Sequence, residues 1–95
     1  MKLERDVEQY LTRRVKELGG LCVKFIPDAM TGMPDRLVLL PGGRVYWVET
    51  KRPEGGRLSA VQAYRHRQLR ALGFSVEICR SADDVDKLSA AWGPA

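Results

Sequence analysis

Cysteine, histidine and long apolar runs are all scarce in this 95-residue chain, and each scarcity excludes something. The two cysteines, Cys22 and Cys79, fall in apolar strand-like runs with no second cysteine or histidine at ligand spacing. That excludes a zinc site and predicts buried thiols. No apolar run approaches the length of a membrane span, and the charged N-terminus lacks the apolar centre of a signal peptide. A cytoplasmic protein with no membrane partner is therefore expected. No repeat, linker or second domain interrupts the pattern, so residues 1–95 are expected to form one domain with a single core and modest stability. Apolar and charged fractions of 44% and 29% belong to a globular chain, not a disordered one.

Charge is present and unevenly useful. Sixteen basic against 12 acidic residues give a net +4 and a pI near 9.4. The excess suits a polyanionic partner, although many proteins without one share it. If several carboxylates gather at one site, the remaining surface is more basic than the sum implies.

Leu3, Val7, Tyr10, Leu11, Val15 and Leu18 recur at helical steps, and Gly19-Gly20 ends the pattern. Glu4 falls at the edge of this stripe and Glu8 beside it, next to Val15. Leu21–Ile26 reads as a strand closed by Pro27 and Asp28, and residues 27–34 as a loop. Pro34 biases Met33 towards extended backbone, and Gly32 admits geometry closed to other residues. Both push Asp35 into the start of a strand. Arg36–Leu40 and Val45–Thr50 form two strands around Pro41-Gly42-Gly43-Arg44, a hairpin signal. Leu37–Leu40 is apolar on both faces, as in a strand covered from both sides. Ser59 and Gln62 make a capping box for a helix over 60–72, with Val61, Tyr64, Leu69 and Leu72 inward. His66, Arg67 and Arg70 lie further round that helix. Residues 74–79 alternate as a strand, and 81–92 form a last helix opened by Ser81 or Asp83. A helix between the third and fourth strands implies a parallel crossover. The expected fold is α/β, with helix order αβββαβα and a mixed sheet flanked by helices.

The hairpin carries charges at its mouth. Glu49 and Lys51 are two apart and project from one face of their strand. A two-residue turn at Gly42-Gly43 would put Asp35 on the other face. A three-residue turn pairing Pro41 with Val45, or a bulge near Pro34-Asp35, brings it to theirs. Asp35, Glu49 and the Thr50 carbonyl are then hard oxygen ligands for a magnesium ion, which activates water for phosphodiester hydrolysis. Lys51 beside the metal would orient or deprotonate the water, or neutralise the transition state. The bland alternative is a salt-bridged strand end, with Glu49 paired to Arg36 and Lys51 solvated. His66 is a weak candidate for general base, because Lys51 already fits that role.

Gly32-Met33-Pro34-Asp35-Arg36, Glu49-Thr50-Lys51 and Leu58-Ser59-Ala60-Val61-Gln62 together resemble the PD-(D/E)XK nuclease superfamily. More narrowly, the chain resembles the stand-alone form of the VRR-NUC family found in viruses and bacteria. The first-helix glutamates, Gly19-Gly20, Lys24 and Leu72-Gly73-Phe74 extend the likeness over nearly the whole length. The resemblance implies a restriction-endonuclease-like core and nuclease activity on branched DNA with magnesium, or manganese in its place. It assigns Asp35 and Glu49 as metal-binding acids, Lys51 as the catalytic lysine and Gln62 as a residue that positions the site. A first-helix glutamate completes the acidic cluster, with Glu8 preferred and Glu4 the alternate. Similarity to Holliday junction resolvases implies a homodimer that makes two symmetric nicks, as in DNA repair. Lys24, Arg36, Arg52, Arg57, Arg65 and Arg67 are candidate phosphate contacts. Cutting of linear or single-stranded DNA, or a non-catalytic DNA-binding module on the same fold, are the competing expectations.

Overall fold

A computed structural model describes residues 1–26, 28 and 30–93. Its elements are α1 (Glu4–Glu17), β1 (Leu21–Lys24), β2 (Arg36–Leu40), β3 (Arg44–Thr50), α2 (Ala60–Ala71), β4 (Ser75–Cys79) and α3 (Ala82–Trp92). The four strands form one sheet in the order β1-β2-β3-β4, antiparallel except for the parallel β3–β4 pair that α2 connects. This is the expected mixed sheet with helices on both faces.

Alternation along the strands sorts the layers. Val38, Leu40, Val48 and Cys79 point to one face, where Val7, Leu11 and Val15 of α1 and Val85 and Trp92 of α3 complete the core. Each fully buried Val or Leu of this set contributes about 1.5–3 kcal/mol. Leu37, Leu39, Trp47, Glu49 and Val76 alternate to the other face, which α2 covers over β3 and β4. Leu37 and Leu39 are consequently only half-buried, so β2 is not closed from both sides as its apolar run predicts.

The hairpin turn does contain three residues, but Leu40 pairs with Arg44, one step earlier than the predicted Pro41–Val45 pair. Gly42 and Gly43 lie at φ of 84° and 72°, a region that favours glycine, so the turn closes without strain. Arg36 pairs with Val48, so the ladder extended by one step sets Asp35 across from Glu49, on the face of Glu49 and Lys51. β1 stops at Lys24, short of the predicted Ile26, yet Phe25 N–H still donates to the Asp35 carbonyl at 2.8 Å. The loop expectation at Pro27 and Ala29 lies outside the described residues. At Gly32, with φ of +87°, a Cβ would stand 2.6 Å from the Val61 carbonyl oxygen; this close approach holds the loop before Asp35 against α2.

α2 is turned relative to the prediction. Val61, Tyr64 and Leu72 are 42%, 49% and 74% exposed, whereas His66 and Leu69 are buried. The sequence of α2 has no single apolar stripe. Gln62, His66 and Leu69 share the face that meets the sheet, so its first half brings polar groups over the end of β3.

Candidate active site

Three elements converge where β3 ends. Thr50 is the last residue of β3, and on the β2 side its N–H has no ladder partner, because β2 begins only at Arg36. Asp35 supplies one: Oδ1 accepts from Thr50 N at 2.7 Å and Oδ2 from the Thr50 hydroxyl at 2.6 Å. The carboxylate that Pro34 delivers to the strand edge thus also closes the sheet. Lys51 N–H donates to the Cys79 carbonyl at 2.9 Å on the other side, so the Glu49–Lys51 segment is anchored by both neighbouring strands.

Gln62 links the rest. Its backbone N–H donates to Ser59 Oγ at 3.1 Å and its Oε1 accepts from Ser59 N at 2.9 Å, the capping box read from the sequence. The same Oε1 accepts from Lys51 Nζ at 3.1 Å, and Nε2 donates to Glu49 Oε2 at 3.2 Å. Lys51 Nζ lies 3.4 Å from Glu49 Oε2. One side chain therefore starts α2 and holds the acid and the lysine together. Glu49 pairs with Lys51, not with Arg36, and Lys51 is largely buried, so the bland strand-end pairing does not form.

Arg36 turns inward instead, donating from Nη2 to Glu8 Oε2 at 3.0 Å, with its Nε 3.9 Å from Asp35 Oδ2. Glu8 Oε1 sits 3.4 Å from the Thr50 hydroxyl. Glu8 is thereby at the cluster but engaged by Arg36. Glu4, the alternate, lines an open cleft of about 480 Å³ together with Lys51, Arg52 and Arg57. Lys24, Arg52, Arg57 and Arg67 are exposed, while Arg65 donates to the Thr31 carbonyl at 3.1 Å. A second cleft of about 450 Å³ runs along α1 beside Glu8 and Arg36 and is lined by Arg5, Arg13 and Lys16, cations that the sequence reading left on the solvent side.

The acids feel one another. Burial raises the Glu49 carboxyl to about 7, and the charge of Asp35 adds to this against the opposing pull of Lys51. Burial also raises Asp35; the Thr50 hydrogen bonds oppose that shift and Glu8 reinforces it. Glu4 is raised by burial, then by Asp35 and Glu8. His66, read from sequence as a surface residue, is fully buried and faces this cluster. Its imidazole is pushed down by burial and by the nearby Arg70 and Lys51. The signal available in sequence was its four-residue step from Gln62, which places both on one helical face.

Among the described residues, no group of three or more His, Cys, Asp or Glu side chains is arranged to hold a metal ion. Magnesium does not require one, since it keeps several waters and binds through one or two carboxylates. Asp35 and Glu49 fit that need: both are destabilised as charged groups, and Glu49 Oε1 is buried without a hydrogen-bond partner.

No family model matches the chain. A curated relative, "Putative nuclease p44" of Acyrthosiphon pisum secondary endosymbiont phage 1, is 39% identical over 80 residues, covering 84% of this chain and 85% of the relative. A solved structure described as "VRR_NUC domain" superposes with a TM-score of 0.89 at 34% identity, over 97% of this chain and 99% of that one. The chain belongs to the VRR-NUC family. The match spans α1 and α2 as well as the hairpin, so the helices that carry Glu4, Glu8 and Gln62 are part of the VRR-NUC fold and not additions to it. Among the described residues, no helix of this VRR-NUC chain is long and apolar enough to cross a membrane.

Proposed function

We propose that this chain is a metal-dependent endonuclease that hydrolyses phosphodiester bonds in DNA and resolves four-way junctions as a homodimer. The observation that carries the reading is the bonded set at the end of β3, in which Gln62 joins Glu49 to Lys51 while Asp35 stands across from them. A relative described as a nuclease supports the same class of chemistry.

Asp35, Glu49 and the Thr50 carbonyl are the residues that would hold Mg²⁺ or Mn²⁺. Such an ion supplies an activated water and stabilises charge at the scissile phosphate. The chain's own residues do the remaining work. Gln62 fixes the Lys51 ammonium beside Glu49, where it neutralises the charge that develops on the phosphate oxygens. Thr50 holds the Asp35 carboxylate by two hydrogen bonds, so its orientation is set before substrate arrives. Glu8 adds negative charge next to Asp35 and is itself neutralised by Arg36. Arg52 and Arg57, in the cleft with Lys51, are placed to take flanking phosphates, and Lys24, Arg65 and Arg67 serve the DNA further out.

Support for a homodimer comes from the sheet face that α2 leaves open. Leu21, Leu39 and Val45 form one cross-strand row and Val23, Leu37 and Trp47 the next. Leu21, Val23 and Val45 are 65%, 41% and 40% exposed, and Phe74 just before β4 is 47% exposed. A continuous apolar surface of this kind marks an interface, and a second copy of the chain answers it with the same rows. Two sites related by a two-fold axis match the symmetry of a four-way junction.

The test is a panel of labelled four-way junction, flap, linear duplex and single strand with the protein and magnesium. Paired symmetric nicks on the junction alone are expected. Equal cutting of linear duplex or single strand would overturn junction selectivity, and binding without cutting would support a non-catalytic module.

A further inference from the structure

We propose that His66 is a positioning residue for Glu49: its imidazole donates Nε2–H to Glu49 Oε1 and holds that carboxylate in the orientation a divalent cation needs. This rests on the reading of Glu49 as a metal ligand. His66 is fully buried in α2, and neither ring nitrogen has a hydrogen-bond partner among the described residues. Glu49 Oε1 is equally buried and equally without a partner, and it lies 3.8 Å from His66 Nε2. Polar atoms deprived of water cost stability unless they are paired, so two such atoms facing each other form a contact waiting to close. A movement of less than about 1 Å brings them to hydrogen-bond distance.

The geometry shows what the contact would do. Glu49 is held at Oε2 alone, by Gln62 Nε2 at 3.2 Å and Lys51 Nζ at 3.4 Å. A carboxylate fixed at one oxygen can still swing about its last torsion. A donor at the second oxygen stops the swing while leaving that oxygen a lone pair for a cation. Ligating carboxylates are commonly held this way by outer partners, whose loss costs about 10–100-fold in metal affinity. Gln62 and His66, one turn apart on α2, would then grip the two oxygens of Glu49 from a single rigid element. Neither residue need touch the substrate for this.

Mn²⁺ binding to the metal-free protein, followed by the electron paramagnetic resonance signal of the free ion, tests the proposal without any turnover. His66→Leu removes the donor, and His66→Gln keeps an N–H near the Nε2 position. Affinity is expected to fall about 10–100-fold in His66→Leu and to stay within about threefold of the native chain in His66→Gln. The metal-free unfolding temperature of His66→Leu should not fall, because two unpaired buried nitrogens are gone. A merely structural histidine gives the opposite pattern, lower stability with unchanged Mn²⁺ affinity, and that result overturns the proposal. Circular dichroism establishes folding, and His66→Met replaces His66→Leu should the latter unfold. Failure of the native chain to bind Mn²⁺ would instead overturn the metal reading of Glu49, an outcome distinct from equal binding by the native chain and His66→Leu.

Discussion

Replacing Glu49 with glutamine removes a charge that the fold holds at a cost, and the size of that cost can be worked out. Glu49 is 4% exposed, and burial with the Asp35 charge raises its carboxyl from 4.5 to about 7. Between those values the folded, metal-free chain keeps a proton that the unfolded chain releases. Stability therefore falls as pH rises through that window, and the whole penalty is present above it. The gap corresponds to about 3 kcal/mol. Glutamine also gives up the charge of the Lys51 pair, whose Nζ stands 3.4 Å from Glu49 Oε2, and this returns about 1 kcal/mol. Net stabilisation of Glu49→Gln near pH 8 is then about 2 kcal/mol, or roughly 8–16 °C in unfolding temperature for a chain of this size. Near pH 4.5 the difference should vanish or change sign, since the carboxyl is already neutral. Thermal unfolding with chelator at both pH values measures it. A Glu49→Gln variant that is destabilised equally at both would refute the reasoning, showing the Lys51 pair to outweigh the repulsion.

Gln62→Leu removes the bonds to Glu49, Lys51 and Ser59 together; about 1–2 kcal/mol of stability should be lost, with DNA cleavage falling at least about tenfold in single-turnover assays. Leu11→Ala, at a fully buried core position of α1, should cost about 2–5 kcal/mol in denaturant unfolding without altering the site chemistry. Val23→Lys puts a charge into the open apolar face and should turn a dimer into a monomer in analytical ultracentrifugation, with little change in unfolding temperature. An unchanged dimer would move the interface elsewhere.

Elements whose sequence has one dominant period were legible. The stripe Val7, Leu11, Val15 placed α1 on the sheet, and Gly42-Gly43 announced the hairpin, because both depend on local chemistry. Placement of Asp35 on the face of Glu49 followed from parity alone, which a shift of the pairing by two residues leaves intact; hence the turn was displaced by a step while the face was right. α2 was different. Its apolar residues, Val61, Tyr64 and Leu72, predict one face, but the sheet end beneath its first turn is polar, and the bonds of Gln62 to Glu49 and Lys51 set the rotation. Propensity yielded to tertiary pairing, and His66 went inward as a consequence. The inward turn of Arg36 onto Glu8 was equally invisible, since it depends on how closely α1 approaches β2 and not on any spacing within either.

Cleavage of a labelled four-way junction by the native chain and by Lys51→Ala, each with magnesium and with excess chelator, decides whether the charges at the end of β3 cut DNA. Lys51 Nζ is tied to Gln62 and Glu49 and packs no core, so its removal leaves the fold intact. Magnesium-dependent nicking by the native chain, with a loss of at least about a hundredfold in Lys51→Ala, is the expected outcome. Native cleavage that survives the chelator, or that Lys51→Ala retains at full rate, would mean that some other part of the molecule does the chemistry.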